Sequence, residues 1–316
     1  MQESFLLSLN IVLPLFLMMA TGYLLRRTLK LPANWGETTN TLVFRLFMPL
    51  LLFRNMAESD LSPLLTPSTL SLIGFCAAAI VVTFLLLYAL VPRLEPENAR
   101  RGVIIQGIFR SNMALFGIPV AISLYGEGNI PIVAVLISFM IPLFNILAVL
   151  SLKLFEGCRP KVSDILKSIL TNPLIIAIVL GLLINILGIM LPSAIKKAAW
   201  ALGDCATPVS FFVLGTSFTF ASAAKNRRTL TLLVFARLLF MPLFWLGLCI
   251  LLGFRGQHLF AAMMMLTPPT AVSSYPMACA MNGDGQLASE IVVFTSAFSI
   301  ASMFLWIFSF RALGWI

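Results

Sequence analysis

Residues 110–119 read Arg110-Ser-Asn-Met-Ala-Leu-Phe-Gly-Ile-Pro119 and lie inside an apolar stretch of about 20 residues, the length of a membrane-spanning helix. A second stretch, Thr267-Pro-Pro-Thr-Ala-Val-Ser-Ser-Tyr-Pro276, is placed in the same way in the second half. Proline removes a backbone donor and clashes with the preceding turn, and unwound backbone at membrane depth must be buried in protein or line a watery cavity. The two stretches therefore predict two broken transmembrane helices. If Pro119 begins a second half-helix, it runs for about seven residues, roughly 10 Å, which places this break near the middle of the bilayer.

The second half of the chain weakly repeats the first, because prolines and glycines recur at a nearly constant spacing. One spacing, called the repeat offset below, relates Pro14 to Pro173, Gly22 to Gly181, and Pro49 to Pro208. A slightly shorter spacing relates Pro119 to Pro276, Gly126 to Gly283, Glu127 to Asp284, and Gly128 to Gly285. An odd number of spans in each copy makes the copies face opposite ways, and such inverted repeats with broken helices are typical of secondary transporters. The predicted repeats are residues 1–157 and 158–316.

Composition indicates an all-α integral membrane protein. Hydrophobic residues make up 60% of the chain, charged residues only 10%, and the mean hydropathy is +1.01. A soluble domain of this length needs far more charge. We expect ten transmembrane helices, as a five-plus-five inverted repeat in which helices 4 and 9 are broken and cross. Their predicted limits are 5–25, 38–57, 68–92, 103–125, 130–152, 166–188, 194–220, 229–252, 258–281 and 287–310.

The net charge of +9 is a topology signal. Thirteen of the 21 Lys and Arg residues lie in the loops after odd-numbered predicted spans, and five lie on the opposite side. Because positive loops stay in the cytoplasm, we expect a multi-pass protein of the bacterial inner membrane with both termini on the outer side. This distribution argues against a nucleic-acid partner and makes the lipid bilayer the main one.

The two breaks predict an anion site. Two half-helix N-termini meeting at the midplane would offer free N–H groups and partial positive charge. Side-chain hydrogen bonds can be added by a set of neighbouring polar residues: Ser111, Asn112, Thr270, Ser273 and Ser274. The alternative is two proline-kinked spans whose hydroxyls bond only their own helices.

Four charged residues fall inside predicted spans, where an unpaired charge is costly: Arg45, Arg110, Asp204 and Arg237. Arg110, deep in the broken fourth span, is the candidate for attracting an acidic substrate. Asp204, at the repeat position of Arg45, is the candidate for carrying a proton or a coupling cation; alternatively, it neutralises an arginine or is hydrated. Arg45 completes the set of charge candidates, but Arg45 and Arg237 lie within about two turns of a cytoplasmic end and can snorkel.

Enzyme chemistry has little support in this sequence. There is one histidine, His258, and neither a zinc-protease nor a Walker motif. The five cysteines are scattered without the spacing of a metal cage or a disulfide framework. We therefore expect no cofactor and no metal; the energy source for transport would be the membrane potential, protons or sodium.

Several segments resemble the auxin efflux carrier family, which includes plant PIN proteins and bacterial permeases proposed for malate and malonate. The similar segments are Leu13-Pro-Leu-Phe to Gly22-Tyr-Leu-Leu-Arg-Arg27, Asn40 to Phe53, Asn112 to Tyr125-Gly, Leu202-Gly-Asp-Cys-Ala-Thr-Pro208 with Leu214-Gly, and Pro268-Pro-Thr-Ala. The resemblance implies a scaffold of spans 1, 2, 6 and 7 and a moving domain of spans 3–5 and 8–10, working as an elevator. It also implies a substrate site near Asn112, Gly117, Pro119, Thr270 and Pro276. The long cytoplasmic loop of many plant members is absent, and Asp204 departs from the small or amide residue expected there.

These observations predict a secondary active transporter for a small organic anion, a mono- or dicarboxylate such as malate or malonate. The alternatives are a passive anion channel, a sodium-coupled symporter of a related inverted-repeat family, and an intramembrane enzyme, which the near-absence of histidine and of paired acidic clusters disfavours. The sequence leaves open the substrate, the coupling ion, the direction of transport and a homodimer.

Overall fold

The computed structural model describes residues 2–29, 32, 35–59, 66–126, 131–156 and 162–316, and their regular structure is helical. The helices of the first half are α1 Gln2–Thr28, α2 Trp35–Leu42, α3 Met48–Ala57, α4 Pro67–Leu94, α5 Asn98–Phe109, α6 Met113–Tyr125 and α7 Pro131–Lys153. Those of the second half are α8 Val162–Leu170, α9 Pro173–Ile186, α10 Ser193–Asp204, α11 Ala206–Ser217, α12 Phe220–Lys225, α13 Arg227–Phe235, α14 Met241–Leu251, α15 Gly256–Leu266, α16 Ser274–Ala280 and α17 Gly285–Ala312. Glu127 and Gly128 of the sequence repeat lie outside the described residues.

The helices identify an integral membrane protein of the all-α class. Within the described residues, five helical runs are long and apolar enough to span a membrane: Pro67–Leu94, Ile132–Lys153, Ser193–Ser217, Arg227–Leu251 and Gly285–Ala312. The pair α8 and α9, bent by 57° at Asn172, makes a sixth if it is counted as one span. Large apolar side chains such as Leu86, Leu183 and Phe244 are more than 40% exposed along these helices, as expected of surfaces that face lipid.

Two prolines explain why predicted spans 2 and 8 are not regular helices. A π-helical turn, Val43–Phe47, precedes Met48-Pro49, and a second, Ala236–Phe240, precedes Met241-Pro242. Proline cannot donate to the carbonyl four residues earlier and its ring crowds that carbonyl, so the helix widens locally. In the second case the carbonyl of Leu238 accepts a hydrogen bond from the Trp306 indole instead, at 3.0 Å.

Glycines allow two pairs of helices to pack backbone to backbone. Helix α1 packs along α11, and α3 packs along α9. A side chain at Gly22 would overlap the carbonyl oxygen of Phe212, and one at Gly181 would overlap that of Phe53. Small residues are what permit such close approach in membrane interfaces, where burial of apolar surface supplies little driving force. The repeat offset relates Gly22 to Gly181 and also Phe53 to Phe212, so the two contacts correspond under the sequence repeat.

Candidate transport site at the crossing of two broken helices

Two breaks in the helices cross each other in direct contact. The first separates α5 from α6 at residues 110–112, and the second separates α15 from α16 at residues 267–273. Ser111 and Thr270 form an antiparallel β-bridge. On one side of the bridge the Asn112 N–H donates to the Pro269 carbonyl at 2.9 Å, and on the other the Ala271 N–H donates to the Arg110 carbonyl at 3.2 Å. Each break therefore supplies the hydrogen bonds that the other break has lost from its helix.

The sequence suggested a first break at Pro119, but the structure places the break earlier in the chain. Helix α6 begins at Met113, and Pro119 is an exposed residue inside it. Similarly, Pro276 lies within α16 and follows the second break. In the second break, Pro268 and Pro269 have no N–H to donate to the carbonyls four residues earlier, so α15 ends at Leu266, although Thr267 keeps helical angles and donates to the Met263 carbonyl. The first break has no proline at all, and its extended backbone is held by the bonds from the second.

A cavity of about 300 Å³ opens beside the crossing. Most of its polar lining comes from both breaks and from α7, and α3 and α11 add two uncharged polar side chains: Arg110, Ser111, Asn112, Asn145, Ser273, Asn55 and Thr207. The remaining wall is mainly apolar and includes Met48, Leu51, Leu52, Ile118, Ile141 and Phe144. The cavity therefore has its cation and most of its polar groups at the crossing, and a mainly apolar body between α3, α6 and α7.

Arg110 is a buried cation at the polar end of this cavity. Its side chain is only 2% exposed, and Nη2 donates to Asn145 Oδ1 at 2.8 Å. Nη1 lies 3.5 Å from the Met277 sulfur, which is a weak acceptor. Among the described residues, no carboxylate pairs with Arg110. A buried charge without an opposite charge is costly, so this position favours an anion that enters the cavity.

Asn145 is a site residue that the sequence analysis missed. Its Nδ2 donates to the Ile141 carbonyl at 2.9 Å, which turns Oδ1 toward Arg110. Asn145 is 3% exposed in the middle of α7. The signal that could have revealed it is an amide side chain within an otherwise apolar span, since such groups need a partner there.

The first turn of α6 offers further donors to the cavity. Met113, Ala114 and Leu115 line it, so the N-terminal end of this helix, with its partial positive charge, faces the same space as Arg110. Within the described part of the chain, Ser111 Oγ and Asn112 Nδ2 are buried and have no hydrogen-bond partner. Buried polar atoms are normally paired, and these two lie in the lining of an anion-sized cavity.

The other residues singled out at the breaks hold the crossing together and do not line this cavity. Thr270 donates through Oγ1 to the Gly107 carbonyl at 2.6 Å. Gly117 packs against Met264, so that α6 can lie close to α15. Ser274 is buried, and the Pro276 carbonyl accepts a hydrogen bond from Asn40 Nδ2 at 3.3 Å.

Asp204 and Arg45 lie away from the cavity. Arg45 is exposed, and Asp204 ends α10 with its side chain 64% exposed and its Oδ1 2.6 Å from Arg54 Nη1. Arg54 also pairs with Glu58, which ends α3. Burial raises the pKa of Glu58, but hydrogen bonds from Lys196, Trp200 and Arg54 outweigh it and hold the pKa below its ordinary value. The geometry therefore matches the alternative in which Asp204 neutralises an arginine.

We expect Asp204→Asn to leave uptake, and its dependence on pH and sodium, within about twofold of the unsubstituted protein, because exposed ion pairs contribute at most about 1 kcal/mol. Arg54 keeps Glu58 as a partner in this variant. The check is uptake into proteoliposomes across pH and sodium gradients, with protein of equal folded yield. A response of the variant to either gradient that differs from that of the unsubstituted protein would restore Asp204 as the coupling residue.

The sequence analysis misjudged one buried charged residue and did not consider another. Arg237 does not snorkel: it is 0% exposed and donates to the Pro268 carbonyl from Nε and Nη2 and to the Ile108 carbonyl from Nη1. Glu290 is also 0% exposed and accepts from Asn226 Nδ2 at 2.8 Å and Gln286 Nε2 at 3.0 Å. The described residues contain no group of three or more His, Cys, Asp and Glu side chains that could hold a metal ion.

Broken helices that cross beside a cavity with polar and apolar walls are typical of secondary transporters. Residues 7–307 match the protein family described as "Membrane transport protein". The chain belongs to this family. The resemblance to the auxin efflux carriers is thereby confirmed, and the protein is a membrane transporter and not an enzyme. A relative from Methanothermobacter thermautotrophicus, described as an uncharacterized transporter, is 24% identical over 303 residues, which cover 96% of this chain and 98% of the relative.

Proposed function

We propose that this member of the membrane transport family is a secondary active transporter for a small organic anion, working in the cytoplasmic membrane by an elevator-like movement. The observation that carries the proposal is Arg110, a buried cation that lines the cavity at the crossing and has no carboxylate partner among the described residues. The substrate carboxylate would supply the missing charge. It would bind Arg110 together with Asn112, Ser111 and the N-terminal turn of α6.

The hydrogen bonds of the crossing support an inverted repeat of ten spans, with residues 1–157 and 158–316 as its halves. Ser111 and Thr270, which form the bridge, are related by the repeat offset. The same offset relates Arg110 to Pro269 and Asn112 to Ala271, so the two flanking hydrogen bonds are equivalent to each other under the repeat. A pseudo-twofold axis through the bridge would produce this pairing.

The glycine contacts support a division into scaffold and moving parts. Backbone contacts hold α1 against α11 and α3 against α9. The first pair belongs to predicted spans 1 and 7, and the second to predicted spans 2 and 6. The cavity lies between this scaffold, represented by Leu51 and Leu52 of α3, and the crossing. An elevator-like shift of the crossing along the scaffold would carry a bound anion across the membrane. The positively charged loops favour an orientation with both termini outside.

The shape of the cavity favours a substrate with one carboxylate. Its polar end offers one cation, whereas Leu51, Ile141 and Phe144 belong to an apolar wall. A second carboxylate there would lose its hydration without a cation to pair with, since the polar side chains that α3 and α11 add, Asn55 and Thr207, are uncharged. Within the class of small organic anions, we therefore expect monocarboxylates with an apolar body to compete for uptake more than about tenfold better than malate or malonate, a difference of about 1.4 kcal/mol.

The experiment that tests this function is countertransport in proteoliposomes. Vesicles preloaded with an unlabelled acid should take up the same labelled acid faster than empty vesicles. The reason is that a carrier that binds the unlabelled acid inside returns its site to the outside faster than an empty carrier does. The substrate is identified with a panel of acids: malate, malonate, succinate, isovalerate, phenylacetate and indole-3-acetate. The matched control is the uncharged amide of the acid that is taken up best. Saturable uptake without acceleration from the far side would indicate a passive channel. Preference for a dicarboxylate would contradict the one-carboxylate assignment.

The variant Asn112→Ala belongs in the same experiment. Because Asn112 Nδ2 is buried without a partner among the described residues, its removal leaves no broken hydrogen bond in the empty protein. We expect weaker binding of the acid, seen as a KM about tenfold higher, at unchanged folded yield. An unchanged KM would place the substrate away from the crossing.

A further inference from the structure

Arg237 carries a second buried positive charge at the breaks, outside the lining of the cavity. Nε and Nη2 lie 3.0 Å and 2.7 Å from the carbonyl oxygen of Pro268, and Nη1 lies 3.1 Å from that of Ile108. Nη1 also lies 3.3 Å from the sulfur of Met241. The side chain is 0% exposed, does not line the cavity beside Arg110, and has no carboxylate partner among the described residues.

The two carbonyls belong to the two breaks. Ile108 is in the last turn of α5, and Pro268 follows the end of α15. The Ile108 carbonyl is at a helix C-terminus, where it has no partner within the helix and carries partial negative charge, and the Pro268 carbonyl belongs to unwound backbone. In carriers with discontinuous helices, carbonyls of this kind coordinate the coupling sodium ion or proton. The guanidinium of Arg237 joins one such carbonyl from each break.

The backbone around Arg237 is adapted to this contact. The residue lies in the π-helical turn Ala236–Phe240, and π-turns within α-helices are frequent at functional positions. The repeat offset relates Arg237 to Ala78 in α4, so the first repeat has no corresponding cation. The charge is therefore a feature of one half of the molecule and not a consequence of the repeat.

We propose that Arg237 is a tethered cation that occupies the place of a coupling sodium ion at the crossing. This inference rests on the transport function proposed above. Because the positive charge is covalently fixed to the moving domain, the two carbonyls at the crossing have a cationic partner without an ion from solution. Uptake by the unsubstituted protein then needs no sodium, and removal of the guanidinium opens a cation site between the two carbonyls.

The test is chemical rescue of Arg237→Ala. Uptake should fall by roughly tenfold or more, because the loss of charged hydrogen bonds leaves two buried carbonyls unpaired. Millimolar guanidinium chloride, far below the molar concentrations that unfold proteins, should restore most of this uptake. Sodium should restore part of it, so the variant becomes sodium-dependent while the unsubstituted protein transports equally in sodium and potassium. A purely structural cross-link would not create sodium dependence.

A second readout needs no substrate. The thermal midpoint of purified Arg237→Ala should rise with guanidinium chloride or sodium, whereas that of the unsubstituted protein should not. Arg45→Ala is the matched control, since it removes an exposed arginine from the other π-helical turn and should show no cation response. If none of the acids is transported, the proposed function fails. The thermal midpoint of Arg237→Ala still shows whether a cation binds between the two carbonyls.

Three results would overturn the proposal. They are sodium-dependent uptake by the unsubstituted protein, a folded Arg237→Ala that responds neither to guanidinium nor to sodium, and an equal response in Arg45→Ala. If Arg237→Ala is not recovered folded, Arg237→Lys replaces it, because lysine keeps the charge. Sodium-independent uptake by Arg237→Lys supports the tethered cation, and its loss in a folded variant overturns it.

Discussion

Arg110→Met should lose nearly all substrate uptake while the protein folds at least as well as before. The guanidinium is the one cation in the lining of the cavity and donates to Asn145 from one nitrogen only, which leaves its other donors for a carboxylate. Loss of a charge-assisted interaction of about 3 kcal/mol corresponds to roughly a hundredfold weaker binding. The fold should not suffer, because relief from burying an unpaired charge offsets the hydrogen bond that Asn145 Oδ1 loses. The measurements are the uptake KM and the thermal midpoint of the purified protein.

The control for charge alone is Arg93→Met, which removes an exposed arginine at the end of α4 and should change neither quantity. Arg110→Lys is the conservative variant. It keeps the charge but loses the planar fork that fits a carboxylate, so we expect an intermediate KM. Normal uptake by Arg110→Met would remove the anion site from the crossing. A strongly lowered thermal midpoint with normal KM would make Arg110 a structural residue.

Gly22→Val and Gly181→Val should each prevent the protein from folding to a stable, monodisperse state. Their side chains would overlap the carbonyl oxygens of Phe212 and Phe53, which belong to the backbone and cannot rotate away. The helix pairs would have to separate, so the cost should reach or exceed about 3 kcal/mol, the upper end of overpacking. Size-exclusion profiles and thermal midpoints in detergent give the result.

Gly74→Val is the matched control, because a side chain at this exposed glycine of α4 would meet no atom within 4 Å. It should keep the elution profile and thermal midpoint of the unsubstituted protein. The two interface variants should also resemble each other, since their contacts correspond under the repeat. Stable folding of Gly22→Val with failure of Gly181→Val would argue against equivalent halves.

Much of the architecture could be read from the sequence because it depends on solvent and on local chain chemistry. Apolar length and low charge indicate membrane helices, and Pro268 with Pro269 ends α15 because neither residue has an N–H to continue the helix. The repeat offset also predicted corresponding positions. Gly22 and Gly181, selected as a repeated pair, make corresponding backbone contacts in the structure. Ser111, Asn112, Ser273 and Arg110 were selected for their polarity in apolar spans, and they line the cavity.

Long-range contacts decided the rest. No local rule unwinds the backbone at residues 110–112; the opposing break does so, because it offers hydrogen bonds from the other half of the chain. Burial of Arg237 likewise depends on two distant carbonyls, so its position near a predicted span end was misleading. Asn145 reaches the site only because α7 packs beside the crossing. The sequence by itself determined the membrane class and the presence of breaks, since composition and proline act locally. Tertiary structure decided which polar groups meet, since hydropathy and spacing contain no information about the partner that a buried side chain finds across the bundle.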